Sequence, residues 1–543
     1  MTFPEIRYSD GIGKSKQMKF FGLDHRLGAT DGAIWDMKNM GSQDFPVLST
    51  RRKRVLFGTL TKPNGMFGWG GLAWVDGTGF YFNGALKGSV ADTKKTFAGI
   101  GSYIIILPDK KYFNIDTNDF GSLESEWSGS SLTFTNGTLY GETAEENTIT
   151  ATGVTWSQYF SEGDAVTISG CTTHPANNKS AIIREISGNE MHFYEHIFEL
   201  DGADSDTPYT ETGTLAIKRE MPDLIYMFEN ENRLWGCSKD TIYASKLGDI
   251  FNWNVYDGLD TDSYAVDTGS ASDFLGCMPY QSYPTFFKED HIYKIYGEKP
   301  SNYQIMGNAT LGLAIGSGQS MAIAGEVMYY LARTGFVGYT GGIPTPLSEP
   351  FGNLHLRHAV AGSDGLKYYV SCKDDASNKY RLYVYDTQNN VWHVEDDLQA
   401  IAFAYTGGQL YMLDSTGKIW KEGPIPYPED TDVYESDFQW YVEFADMTGD
   451  DPNKKGTTKL QIRLELDANA KAQVWIQHDS SGTWQKAGAE LTTTVKRSFY
   501  LPIIPQRCDH YRIKITGQGG CRIYSLTREY YTGSEFRSTK GRN

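Results

Sequence analysis

A short hairpin unit recurs along this chain, and a repeated unit of this size must bury its apolar face against the next copy. The clearest copy lies in residues 229–253, ENENRLWGCSKDTIYASKLGDIFNW. Asn230 to Trp235 reads as a turn entering an apolar strand, and Cys237 to Asp240 as a second turn. Thr241 to Ser245 is a strand leading on to Leu247, Gly248, Asp249 and Trp253. Before it stand GGLAWVDGTGFYFNG (70–84), with an Asp-Gly turn, and FAGIGSYIIILPDKKYFNI (97–115), with Asp109 and Lys110 in the turn. After it come YPTFFKEDHIYKIYG (283–297), GEVMYYLARTGFVGYTGG (325–342), GLKYYVSCKDDASNKYRLYVYDTQNNVW (365–392) and IAFAYTGGQLYMLDSTGKIWKEG (401–423). Their spacing of roughly 40 to 50 residues fits four-stranded blades. The predicted fold is all-β: a six- or seven-bladed β-propeller. The blade number depends on whether a strand from the opposite terminus completes one blade.

Composition agrees with this reading. Aromatic residues make up 14% of the chain and there are 58 glycines, which suits aromatic strands punctuated by tight turns. No window carries three turns of helical apolar spacing. At 543 residues the chain exceeds one ordinary core. Residues 1–55 read as an N-terminal arm whose isolated apolar residues pack on something else, and 56–117 as the first part of the propeller. Residues 118–219 are polar and rich in Thr, Ser and Gly. They read as an inserted β-rich domain, with a small closed barrel suggested by EGDAVTISG (162–170) and SAIIREISGNEMHFYEHIF (180–198). Residues 220–425 resume the propeller. PIPYPED (424–430) marks a boundary, and 426–543 alternates as the strands of a C-terminal β-sandwich do. The tail GSEFRSTKGRN is expected to be disordered or an expression remnant.

The formal charge is −17. That argues against a phosphate-gripping nucleic-acid binder and is compatible with a wall past which DNA slides. The basic cluster Arg51, Arg52, Lys53 and Arg54 has two readings: a solvated turn before Val55-Leu56-Phe57, or a docking patch, for which it is the best interface candidate. Six cysteines occur without any CxxC, so buried free thiols are expected. MTFPEIRYSDGIGKSKQ has no apolar core of a signal peptide, and no apolar run approaches 18 residues. A chain that stays soluble, is not exported and inserts in no membrane is therefore expected.

No motif of the chain carries an enzyme claim, and no catalytic residue, metal or cofactor is expected. GIGKS (11–15) lacks the first glycine of a phosphate loop, since Tyr8 stands there, and it reads as coil. His192 and His196, flanking Glu195, lie about 13 Å apart if the segment is a strand, too far to share one metal. Asp201, Asp204 and Asp206 lack the glycine and terminal glutamate of an EF-hand. HDSSGTW (478–484) departs from SxDxGxxW and reads as a hairpin turn. Trp235, Trp253, Tyr264, Phe287 and Trp392 read as blade-core residues, and the run 229–253 as a scaffold junction.

Beyond these local readings, NRLWGCSKDTIYASKLGDIFNW, DSYAVDTGS (262–270), FFKEDHIYKIYG (286–297) and GEVMYYLARTGFVGYTGG resemble tail proteins of double-stranded DNA bacteriophages, the propeller-containing hub or nozzle proteins also called packaged-DNA stabilisation proteins. FFGLDHRLGATDGAIWDMKNM resembles their opening pattern of a Gly-Leu turn, then Asp36 and Asn39, then Pro46 and Arg51. The resemblance covers roughly 20–117 and 220–425, and YDTQNNVW (385–392) separately resembles a kelch-type blade ending. It implies a virion structural protein without catalysis. Such a protein forms a homohexameric ring below the portal and adaptor, docks tail fibres or spikes, and passes genome DNA through its lumen. The C-terminal sandwich departs from the pattern. A receptor- or carbohydrate-binding tail protein is the alternative, and a glycan-cleaving propeller enzyme the third reading.

Overall fold

The computed structural model describes residues 11–26, 32–136, 147–194, 197–200, 207–422, 433–448 and 454–532. The proline-rich boundary at 424–430, the acidic loop with Asp201, Asp204 and Asp206, and the tail after 532 lie outside the described residues. The chain is all-β, with many small antiparallel sheets and one six-stranded barrel. It divides into two units, Asn64–Leu313 and the combination of Met1–Pro63 with Ala314–Asn543.

Asn64–Leu313 carries four of the repeated units, each as one four-stranded sheet in simple up-and-down order. The third sheet is Tyr226–Asn230, Arg233–Ser238, Thr241–Ala244 and Tyr264–Asp267; the fourth is Gly276–Tyr280, Tyr283–Phe287, His291–Tyr296 and Gln304–Ala309. Their first strands lie side by side, and Tyr226–Asn230 also lies beside Thr96–Ile100 of the second sheet. The apolar residues of neighbouring sheets meet face to face. Phe228, Trp235 and Ile242 pack with Phe274, Phe286 and Ile295, as Ala73, Val75 and Phe80 do with Ile104, Ile106 and Phe113. Hydrophobic burial between sheets is thus what holds these short hairpins, which are marginal alone.

The barrel is closed in the order Ser125–Thr135, Asn147–Thr150, Glu190–Phe193, Ser180–Ser187, Ala165–Ser169, Tyr209–Arg219. It fills its own centre with Trp127, Phe134, Trp156, Ile168, Phe193 and Ile217. Closure leaves no unpaired edge.

The other unit holds three more four-stranded sheets and a two-sheet sandwich. The last of the three sheets joins Ala400–Thr406, Gln409–Asp414 and Lys418–Glu422 to Arg54–Thr59, a strand from the opposite end of the chain. The sandwich is not built from the C-terminal segment alone. Its seven-stranded sheet includes Gly11–Gln17, Met40–Gly41 and Leu48–Thr50, and its five-stranded sheet includes Ile34–Lys38. GIGKS is therefore a strand and not coil, paired antiparallel with Cys521–Thr532 from Gly11↔Thr532 to Gln17↔Leu526. Exposed Lys14 and Lys16 alternate with half-buried Gly13, Ser15 and Gln17, which is strand period. The arm also supplies core. Phe20, Leu23, Ile34 and Met37 join a cluster that runs from Trp392 and Phe336 to Trp440 and Val442. Gly22 makes this possible: it has φ +79, and a Cβ there would stand 2.4 Å from the Trp392 carbonyl oxygen.

Candidate functional site

Two hairpin tips stand next to each other on the third and fourth sheets. Asn230 and Arg233 are joined by Glu231 and Asn232, with φ +53 and +59; Tyr280 and Tyr283 are joined by Gln281 and Ser282, with φ +52 and +64. Two consecutive left-handed residues make the hairpin turn that matches strand twist, and glycine or asparagine usually supplies them. Of these four residues only Asn232 is of that kind. The tips are tied by Asn230 Nδ2 donating to the Ser282 carbonyl at 3.2 Å.

The tips and the end of the strand His291–Tyr296 enclose a cleft of about 370 Å³. Its wall is aromatic. Tyr283, 38% exposed, and Tyr296 have ring centroids 4.7 Å apart. Deeper in, Trp235 meets Tyr303 edge-on at 5.3 Å, and Tyr303 meets Tyr264 at 5.0 Å. Glu231 and Glu298 add carboxylates to the lining. Arg233 is committed inward: it donates to the carbonyls of Ser245 at 2.9 Å, Asp260 at 2.8 Å and Asp262. Burial pulls its guanidinium below the usual range, and burial likewise pushes the phenol of Tyr303, which it hydrogen-bonds, upward. The indole N–H of Trp235, buried at 2% exposure, has no acceptor among the described residues. Flat rings beside convergent polar groups suit a ligand with an apolar face and many hydroxyls.

The structure places the other sequence candidates elsewhere. Arg51 and Arg54 are 6% and 3% exposed, so neither the solvated turn nor the docking patch describes them. They pair within the chain, Arg51 with Glu435 and Arg54 with Glu395 and Asp396. Lys53 pairs with Asp437 at the surface, and Arg52 is exposed. His192 lies on the strand Glu190–Phe193, while Glu195 and His196 lie outside the described residues. Asp479 and Ser480, both with positive φ, follow the strand Lys471–His478, where HDSSGTW turns toward Gln485–Lys486. Trp235, Trp253, Phe287 and Trp392 are buried and Tyr264 half-buried. All six cysteines are free and buried. The helices among the described residues are too short to cross a membrane.

Tyr283, Tyr296, Tyr303, Glu231 and Glu298 were not singled out from the sequence. The signal available was an aromatic at each edge of a hairpin turn, in YQSY (280–283) and IYGEKPSNY (295–303).

No protein family matches this sequence, and no curated protein does. Solved structures do. An exo-β-1,3-galactanase from Phanerochaete chrysosporium, with galactose, matches at 8% identity over 56% of this chain and 94% of that one, with a TM-score of 0.21. A bifunctional GH43-CE protein from Bacteroides eggerthii matches at 9% identity over 57% and 62%, TM-score 0.20. The phage phi92 endosialidase matches at 9% identity over 93% and 74%, TM-score 0.17. These are propeller-like glycosidase and endosialidase folds. The expectation of a chain without catalysis is corrected by these matches, since they are to carbohydrate-active enzymes. At such TM-scores no residue correspondence is drawn from them.

Proposed function

We propose that this chain is a carbohydrate- or receptor-binding tail protein of a tailed bacteriophage, that its four-stranded sheets are propeller blades, and that the cleft at the tips Glu231-Asn232 and Gln281-Ser282 takes the glycan. The observation that carries the binding reading is the cleft itself: exposed Tyr283 paired with half-buried Tyr296 beside Glu231 and Glu298. Sugar C–H faces pack on such rings while carboxylates accept from hydroxyls. The tail assignment rests on the sequence resemblance over 20–117 and 220–425.

The test is affinity electrophoresis of the full chain through gels containing bacterial surface polysaccharides, with product analysis of the same polysaccharides in solution. Retardation that Tyr283→Ala lowers at least tenfold supports the reading. Release of shortened glycan extends it to catalysis, and Glu231→Gln and Glu298→Gln then report which carboxylate is needed. A chain that no polysaccharide retards, and whose native mass is that of a homohexamer, overturns it in favour of the ring reading.

A further inference from the structure

We propose a second carbohydrate site, separate from the hairpin cleft, on the outer face of the five-stranded sandwich sheet, taking an uncharged oligosaccharide. The sheet is ordered Ile34–Lys38, Gln439–Phe444, Tyr511–Gln518, Lys471–His478, Gln485–Lys486. Burial alternates along its strands, so Trp440, Val442, Ile515 and Val474 face the core and their neighbours face out. Register then places Lys38, Tyr441, Thr516 and Gln473 in one outward row across four strands. Gln439, Gln518 and Lys471 form the adjoining row. Four strands span about 14 Å, longer than one sugar ring.

A cavity of about 560 Å³ lies over these two rows. The chemistry is that of a hydroxyl reader. Each glutamine amide offers two donors and an acceptor, and the exposed side chains of Gln439 and Gln518 make no hydrogen bond among the described residues. Gln473 spends its donors on the carbonyls of Val474 and Gly488, which leaves its oxygen as an acceptor. Tyr441 is half-buried, with the Lys514 ammonium 4.8 Å over its ring, and its hydroxyl donates to Asp36 at 2.8 Å. The charges cancel locally: Lys471 pairs with Glu490 at 3.4 Å and Lys38 with Asp397. Lys514, over Tyr441, pairs with Glu443 at 3.4 Å, so each of these cations has a carboxylate partner.

The full chain would be titrated by calorimetry with hexasaccharides of glucose, galactose and xylose in β-1,3 and β-1,4 linkage, and with hexagalacturonate and a sialic acid hexamer as acidic arms. The expected result is binding of a neutral hexamer that Gln439→Ala/Gln518→Ala weakens at least tenfold and that added salt leaves unchanged. Tyr283→Ala must leave this binding intact, which separates failure of this site from failure of the hairpin cleft. Absence of binding to every neutral hexamer, binding untouched by the double variant, or preference for an acidic hexamer with loss in salt each overturns the proposal.

Discussion

Arg54 and Glu395 form an ion pair in which the two side chains are only 3% and 4% exposed. Around it, Arg54 Nη1 donates to Asp396 at 2.6 Å and its backbone N–H to Glu435 at 2.8 Å. Arg51 reaches Glu435 and donates from Nε to Asn39 Oδ1 at 2.7 Å, its guanidinium lying 4.3 Å over Phe438. The network thus pins the strand from the start of the chain to the four-stranded sheets and to the segment entering the sandwich. Removing one partner of a buried pair strands the other charge, so Arg54→Ala should cost about 3–5 kcal/mol. Exposed Arg52→Ala should stay within about 0.5 kcal/mol. Urea unfolding at fixed pH compares them, and equal effects would refute the structural role given to Arg54.

Glu422 ends the strand Lys418–Glu422 beside this network. Burial, with the charge of Glu395, pushes its carboxyl up to about 7, against which a hydrogen bond from Tyr369 works. The folded chain therefore holds this proton to higher pH than the unfolded chain, where the group titrates near 4.5. Its stabilising share is fully present below about 4.5 and is lost as pH rises through about 7. Melting temperature should fall across that window, and Glu422→Gln should flatten the fall. An unchanged slope in the variant would assign the pH dependence to another group.

Glu211 in the barrel has the opposite sign. Burial opposes its ionisation, but the hydroxyl of Tyr209 and the backbone N–H groups of Thr173, Thr172 and His174 outweigh it and bring the carboxyl down to about 2. Stability from this group is present above about 4.5 and lost as pH falls toward 2. Glu211→Gln leaves donors poorly matched at a site 1% exposed, a cost of about 1–3 kcal/mol. Trp127 and Trp156, 5.1 Å apart in the barrel core, supply the fluorescence readout. A variant with the wild-type acid midpoint would show that Glu211 does not set it.

How much of this was legible in advance depended on sequence distance. Each of the seven hairpin units read from the chain falls in one four-stranded sheet, because apolar strands and turns such as Gly77-Thr78 declare themselves within about fifteen residues. What stayed hidden has distant partners. Gly11–Gln17 pairs with Cys521–Thr532, and Arg51 and Arg54 become buried through Glu395, Asp396 and Glu435. A cluster of four basic residues reads as solvated when its counter-charges lie more than three hundred positions away. The cleft was hidden for a related reason. Trp235, Tyr283 and Tyr303 meet only when two sheets stack, so a local reading assigns each of them to a core or a turn.

The run 229–253 has a second end, which binds the barrel. Asn252, 2% exposed, accepts from the Ala165 N–H at 2.8 Å and donates to Asp249 at 2.6 Å and to Asp164 at 3.3 Å. Asp164 pairs with Arg219, whose guanidinium lies 4.7 Å over Phe251. One side chain therefore satisfies a barrel amide and two carboxylates where the barrel meets the third sheet. Asn252→Ala removes the acceptor and should cost about 1–3 kcal/mol, most of it at this junction. Asn252→Asp should cost more, since it places a third carboxylate against Asp164 and Asp249. The cost is local, so amide exchange in Ala165–Ser169 should quicken about tenfold for each 1.4 kcal/mol lost, while Gly276–Tyr280 keeps its protection. Equal acceleration in both strands would mean that the barrel and the sheets open as one cooperative body, and that Asn252 stabilises the whole and not the junction.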